Sequence, residues 1–365
     1  MSDCALTTEA AGRASEHERE QEHITKFFEN KVLSILSATP LQVTPTQSNC
    51  HAFASNLLHC KDIKPVQTQG SFSYTVFSFE CQKVVQFRLK PLDEATLLLA
   101  YETYGDLVPP ATFVEGFALP VYIFPLAHGH LHTSEPHPET RSALERQIRT
   151  VRDLARFVAK GAFTPQSTDC YAPESWTLTA ESTLHMIIEN KSLTEIEPGF
   201  AQRAELLLPR LGLLTKLPPV LCHVDFFEIN IMVEPVTGAL TAVLDWDGAQ
   251  IEAFGMIIYG VYDSFFGCMK DHSSDAEWSW FGTPLPDSDD MRSARDILES
   301  NFWNVFWDAV PSSFSKAEYE DAIAVAIEIG LVQRNLPRSL VEGPEERREQ
   351  LFSNIRLMRG VWLSK

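Results

Sequence analysis

Asp225, Asn230 and Asp245 are the side chains whose types and spacing suggest chemistry. They lie in Leu221-Cys222-His223-Val224-Asp225-Phe226-Phe227-Glu228-Ile229-Asn230-Ile231-Met232-Val233, which is followed by Val243-Leu244-Asp245-Trp246-Asp247. The text from Asn230 to Leu244 reads as a hairpin. Its runs are Asn230–Val233 and Thr241–Leu244, and its turn is Pro235-Val236-Thr237-Gly238. A hairpin sets the beginning of its first strand beside the end of its second. Asn230 and Asp245 are therefore expected to converge, with Asp225 on the preceding loop over both. One carboxylate beside one amide makes an oxygen-only pocket suited to Mg²⁺, which keeps several waters and takes further ligands from substrate phosphates. The other carboxylate, Asp225, can accept or orient the proton of a hydroxyl that attacks a γ-phosphate. His223 reads as a group that holds the loop, and Trp246 as core packing.

The flanking text supplies elements able to position such a loop. Ile24, Phe27, Phe28, Val32, Ile35 and Leu36 recur at helical steps from about Ser15, and Pro40 marks the end. A Thr-, Gln- and Pro-rich linker over Leu41–Asn49 precedes a short helix at His51–Leu58. Strands are expected at Phe72–Val76 and Lys83–Leu89, a helix at Leu92–Tyr104, and strands again at Thr112–Phe117 and Val121–Phe124. That order outlines a small antiparallel sheet with one helix packed on it. Farther on, Leu144, Ile148, Val151, Leu154 and Val158 form a helical stripe, with Gly161 where a C-cap would stand. Helical text continues at Ala180–Ile188 and Ala201–Leu208, and from Phe254 onward. The expected organisation is an N-terminal extension with an amphipathic helix (1–45), a sheet-rich lobe (46–127) and a helix-rich lobe (128–365). The last contains the loop 221–247 and a region of about 256–365 left for recognising a substrate.

Composition narrows the classes of function. The chain has 365 residues, 44% apolar and 22% charged, with 30 basic and 49 acidic side chains and a formal charge of −19. This is globular composition, and the acidic balance argues against nucleic-acid partners, whose phosphates it would repel. No apolar run approaches the roughly 20 residues that cross a bilayer; Met256–Phe266 is short and contains Asp263. The early acids Asp3, Glu9, Glu16 and Glu18 are not those of a secretory or mitochondrial leader. Seven scattered cysteines without a CxxC pair argue against a disulfide framework or structural zinc. A reduced, cytoplasmic protein without membrane partners is expected.

His-x-Asp-x-x-x-x-Asn-Ile followed by Leu-Asp-Trp resembles the signature of the aminoglycoside phosphotransferase and choline kinase group, a branch of the protein-kinase-like fold. Gln69-Gly70-Ser71-Phe72-Ser73-Tyr74-Thr75-Val76, Val85-Gln86-Phe87-Arg88, Tyr104-Gly105-Asp106-Leu107-Val108-Pro109 and Phe254-Gly255 extend the resemblance to the fungal phosphotransferase proteins of the group, over roughly 50 to 270. The resemblance implies an α+β, two-lobed fold with a small antiparallel sheet and one helix in front, and a larger helical lobe carrying a catalytic hairpin. It implies an ATP- and Mg²⁺-dependent kinase acting on a small-molecule hydroxyl, with cationic and aromatic acceptors and secondary metabolism among the open readings. By position, Asp225 would be the catalytic base, and Asn230 and Asp245 the metal ligands. Gly70 and Ser71 would cover the nucleotide phosphates. Arg88, or else Lys90, would grip them, paired with Glu94. The backbone of Pro125 to Ala127 would form the adenine hinge.

The chain also departs from the group's pattern. Val224 replaces a usual Gly, Phe226-Phe227 replace small polar residues, and the phosphate loop has one glycine. These departures motivate the alternative, a catalytically weak or inactive pseudokinase acting as a nucleotide-binding or interaction protein. Three other features are read as structural first. His128, His130, His132 and His137 suit a polar loop better than zinc. Asp287, Asp289 and Asp290 suit a solvated loop. Trp278, Trp280, Phe281, Phe302, Trp303, Phe306 and Trp307 suit helical core, with a share left to line an acceptor pocket.

Overall fold

The computed structural model describes residues 21–22, 24–32, 45–134, 140–267, 281–282, 284, 291–341 and 348–362. The expected helix end at Pro40, His137, Trp278, Trp280 and the acids at 287, 289 and 290 lie outside them.

The described residues form two compact units. One holds those up to Leu97 together with Pro109–Ala127; the other holds Leu98–Val108 and those from His128 on. The front region expected at 46–127 is thus interrupted, because 98–108 cluster with the second unit.

In the first unit, α1 (Gln47–Leu58) begins earlier than its apolar pattern suggests, because Thr46 Oγ1 accepts from Asn49 N at 3.2 Å and caps it. Strands β1 (Lys64–Pro65), β2 (Ser73–Ser78), β3 (Lys83–Arg88), β4 (Thr112–Val114) and β5 (Val121–Pro125) form one antiparallel sheet in the order β1-β2-β3-β5-β4. Helix α2 (Glu94–Tyr104) follows β3. Alternation along the strands gives the sheet two faces. Tyr74 pairs with Phe87 and Val76 with Val85, and these side chains join Val121, Cys50, Ala54, Phe27 and Val32 in a dry core. Ser73 pairs with Arg88 and Thr75 with Gln86, so the opposite face is polar.

In the second unit, β6 (His130–Leu131) leads to α3 (Arg141–Lys160), whose apolar stripe is buried at Leu144, Val151, Leu154 and Val158 and half-buried at Ile148. Gly161 is the C-cap of α3, where the sequence set it, and its φ of −54° is right-handed. Its smallness answers to packing, since a Cβ there would stand 3.2 Å from the Tyr104 hydroxyl. Helices α4 (Trp176–Glu189), α5 (Lys191–Ile196) and α6 (Pro198–Leu207) precede two small sheets. β7 (Pro219–Cys222) pairs antiparallel with β10 (Gln250–Ala253), and β8 (Ile231–Val233) pairs with β9 (Leu240–Val243) and with β6. The remaining described helices are α7 (Ala294–Ala309), α8 (Lys316–Asn335), α9 (Arg338–Val341) and α10 (Arg348–Trp362). In the aromatic run, Phe281, Phe302 and Phe306 are buried, and Trp303 and Trp307 partly so. The small front sheet and the helix-rich remainder are the architecture expected from the sequence.

Candidate active site

The site is built on a loop strung between two strands that belong to different small sheets. β7 is buried at all four residues and delivers the chain to His223. Phe226 turns inward, fully buried and stacked on Phe157 with centroids 5.4 Å apart. Tyr259 Oη donates to the Val224 carbonyl at 2.7 Å. Gly260 lies so close to the Phe226 carbonyl that any Cβ at that position would collide with it. A loop held by a buried ring, a hydroxyl and a close backbone contact has little freedom, which suits a group that must present a carboxylate in one place.

Asn230 sits in a short 3₁₀ turn (Glu228–Asn230), one residue before the strand in which it was expected. Its Nδ2 donates to the Asp225 carbonyl at 2.9 Å, which fixes the amide and leaves Oδ1 as an acceptor. Its own carbonyl accepts from Leu244 N at 2.8 Å, so the hairpin brings Asn230 beside the residue that precedes Asp245. Asp245 is exposed and adopts φ +59°, a left-handed conformation that Asp tolerates better than bulkier residues. His223 is 1% exposed, and its Nε2–H donates to the Leu244 carbonyl at 2.7 Å, tying the loop to the hairpin's end. Burial pushes its pKa below the ordinary histidine value, against the opposing pull of that bond and of Asp245 and Asp225. Trp246 is buried, with Nε1 donating to the Val243 carbonyl at 3.0 Å, and Asp247 is exposed.

The Asp225 carboxylate is partly exposed, and Oδ1 is paired with Arg334 Nη2. The Arg334 guanidinium carbon lies 4.8 Å from the centroid of the Phe227 ring. Nothing in the sequence pointed to Arg334, since it is 109 residues away and belongs to no motif. Tyr259 and Gly260 were missed for the same reason.

The donor set fits a hard divalent ion. Asn230 Oδ1 and the Asp245 carboxylate are oxygen donors on neighbouring backbone, and the exposure of Asp245 leaves room for the waters that Mg²⁺ keeps. Among the described residues, no three His, Cys, Asp or Glu side chains are grouped to hold a metal. His132, from the histidine run, is buried and bonded to Gln147 Oε1 at 2.9 Å.

In the first unit, Gly70 and Ser71 lie exposed in the turn before β2. Two contacts that the sequence did not reveal hold this turn. Lys31 Nζ donates to the Ser71 carbonyl at 2.6 Å, and the Gln69 side chain brackets Thr75, donating to its carbonyl at 2.9 Å and accepting from its N–H at 2.8 Å. Arg88 is buried on the polar face of the sheet and donates to Gln86 Oε1 at 2.8 Å. Lys90 is exposed, and so is Glu94 in the first turn of α2. Pro125 ends β5 and Ala127 ends the unit, with Leu126 N donating to the Gln82 carbonyl at 2.9 Å. The structure therefore brings Asp225, Asn230 and the backbone leading into Asp245 together, and sets Arg88 against Gln86.

An antiparallel sheet in the first unit and a helical second unit with its loop and hairpin define the protein-kinase-like class of fold. Within that class, residues 93–255 match the model of the phosphotransferase enzyme family, so the resemblance drawn from the sequence is borne out over the segment that carries the site. Among solved structures, the chain is similar to aminoglycoside 2'-phosphotransferase-IIIa in its GDP complex, with TM-score 0.53 and 11% identity over 91% of this chain and 98% of that one. It is also similar to the macrolide 2'-phosphotransferase of Brachybacterium faecium, with TM-score 0.50 and 14% identity over 84% of this chain and 97% of that one. No curated protein matches the sequence. No helix among the described residues is long and apolar enough to cross a membrane.

Proposed function

We propose that the protein is an ATP- and Mg²⁺-dependent phosphotransferase that modifies a hydroxyl of a small molecule. The observation that carries the reading is the loop–hairpin junction. Asn230 bonds the Asp225 carbonyl through its amide nitrogen while its own carbonyl accepts from Leu244 N, so Asp225, Asn230 and the backbone leading into Asp245 belong to one hydrogen-bonded stretch of chain. Asp245 and Asn230 Oδ1 would hold the ion, which neutralises charge on the nucleotide phosphates when bound. Asp225 accepts the proton of the acceptor hydroxyl as its oxygen attacks the γ-phosphorus, and the bond from that phosphorus to the β–γ bridging oxygen breaks to release ADP. His223, neutral and buried, keeps the loop against the hairpin and takes no proton. On the polar face of the front sheet, Arg88 is the cation proposed to meet the phosphates, with Gly70 and Ser71 covering them and the backbone of Pro125 to Ala127 receiving the base. The GDP complex of the structurally similar aminoglycoside 2'-phosphotransferase-IIIa supports a nucleotide in this fold.

The test is to incubate purified protein with γ-labelled ATP or GTP, Mg²⁺ and a panel of hydroxylated amines, sugars and aromatic metabolites, and to follow the label by mass spectrometry. Asp225→Asn should lower kcat by about 10²- to 10⁴-fold, the range for loss of a general base, with an unchanged circular-dichroism spectrum. Full activity in that variant would remove Asp225 from the mechanism. Nucleotide binding with no transfer to any acceptor would favour the pseudokinase alternative.

A further inference from the structure

Arg334 stands in the last turn of α8, in the region where the sequence offers no motif, yet it makes the ion pair with Asp225. Its place is fixed from both sides. Gln333 donates to the Trp176 carbonyl at 3.2 Å and to Thr179 Oγ1 at 3.0 Å, and accepts from Thr183 Oγ1 at 3.3 Å. Asn335 donates to the Leu331 carbonyl at 3.0 Å and accepts from Asn354 Nδ2 at 2.8 Å through its own carbonyl. Gly330, a turn earlier, lies where a Cβ would collide with the Met256 carbonyl, so the helix is pressed against the segment following β10. The guanidinium is thus held at three levels: by the anchored helix end, by the face of Phe227, and by the carboxylate itself.

We infer that Arg334 is the positioning residue for Asp225 in phosphoryl transfer, an inference that rests on the function proposed above. A lone carboxylate on a loop turns about its last side-chain bond, and only part of that rotation aims an oxygen at an incoming hydroxyl. Binding Oδ1 to Arg334 stops the rotation and leaves Oδ2 for the acceptor. An exposed ion pair contributes little to stability, so its value here lies in geometry rather than in holding the fold. Arginine suits the task because its planar group stacks on an aromatic face and stays charged at every working pH, whereas lysine supplies a point charge without the plane.

The experiment compares Arg334→Gln and Arg334→Lys in the wild-type and Asp225→Asn backgrounds. It measures kcat for nucleotide turnover (transfer and acceptor-free hydrolysis together), KM for MgATP, and the melting temperature. Arg334→Gln should melt like the wild type and keep KM for MgATP within about twofold while kcat falls about 10- to 100-fold, as expected for a misaimed reacting group. Arg334→Lys should recover part of that loss. In the Asp225→Asn background, Arg334→Gln should change nothing further, because it acts through the carboxylate. Unchanged kcat in Arg334→Gln, or losses that multiply in the double variant, would overturn the inference. A wild-type protein that turns over neither ATP nor GTP would overturn the kinase reading itself, and that result is recognised before any variant is made.

Discussion

At His223, burial opposes the charging of the ring. It is buried to 1% exposure, so folding holds it neutral at pH values where the unfolded chain would take a proton. The sign follows from linkage. Above the ordinary histidine pKa of about 6.5 both states are neutral and the stability is fully present. As pH falls below that value only the unfolded chain gains the proton, so stability is lost at up to about 1.4 kcal/mol per pH unit until the depressed folded pKa is reached. Urea unfolding at pH 7.5, 6.5 and 5.5 should therefore show wild-type stability dropping more steeply than that of His223→Asn, although the variant starts lower for want of the bond to Leu244. Parallel lines would show that the ring charges freely in the folded protein. His51, whose pKa burial also lowers, is present in both proteins and cancels in the comparison. The structural duty of His223 was legible because a ring two residues before an acid on a tight loop has backbone to bind. The conformation of Asp245 was not, since spacing along a hairpin says which residues meet and nothing about which of them must take a left-handed φ.

Between elements, the site depends on a carboxylate that plays no part in the proposed transfer. Glu252 lies on β10, opposite Val220 of β7, and is fully buried. It accepts from Trp176 N at 2.6 Å, Thr177 N at 2.8 Å, Thr177 Oγ1 at 2.6 Å and Ser175 Oγ at 3.0 Å, which makes it the cap of α4 supplied from a strand. One side chain thus joins the strand pair that delivers the Asp225 loop to the helix that anchors Gln333, the neighbour of Arg334. Glu252→Ala strands four donors, on buried Ser175 and half-buried Trp176 and Thr177, and hydrogen bonds to a charged group are each worth about 1.5–3 kcal/mol. With relaxation and water entry the expected loss is about 3–5 kcal/mol, read from the denaturation midpoint; a loss below about 1 kcal/mol would show that the donors find other partners. None of this was visible in the sequence, because Glu252 and Trp176 are 76 positions apart and a glutamate in a strand carries no capping signal. The approach of Asn230 to the residue before Asp245 was legible because one local hairpin sets it. The stripe of α3 was legible because burial on one face imposes a period. Gly161 is the C-cap that its place in the sequence predicts, but the sequence did not show what its smallness meets: a Cβ there would stand 3.2 Å from the Tyr104 hydroxyl.

Across the whole molecule, a formal charge of −19 sets the terms on which a nucleotide can bind. A triphosphate carrying about four negative charges must approach an acidic protein, and Asp225 and Asp245 add to the local repulsion. Binding that relies on an oxygen-donor pocket for a divalent ion should therefore need the ion, and its absence should cost most of the affinity. The consequence can be read without knowing the acceptor. A ligand that binds only the folded state adds RT ln(1 + [L]/Kd), about 2.7 kcal/mol at a hundredfold excess over Kd, and each kcal/mol moves the melting point of a domain of 150–250 residues by about 2–4 °C. Saturating ATP with Mg²⁺ should raise the melting temperature by about 5–10 °C, while ATP with EDTA should raise it by less than about 1 °C. Mg²⁺ alone should have a small effect, since two protein oxygens and several waters hold the ion weakly until phosphates complete its shell. An equal shift in EDTA would place the nucleotide on protein cations such as Arg88 and leave Asn230 and Asp245 without a metal to hold. No shift under any condition would show that the kinase-like fold has been retained here without its nucleotide.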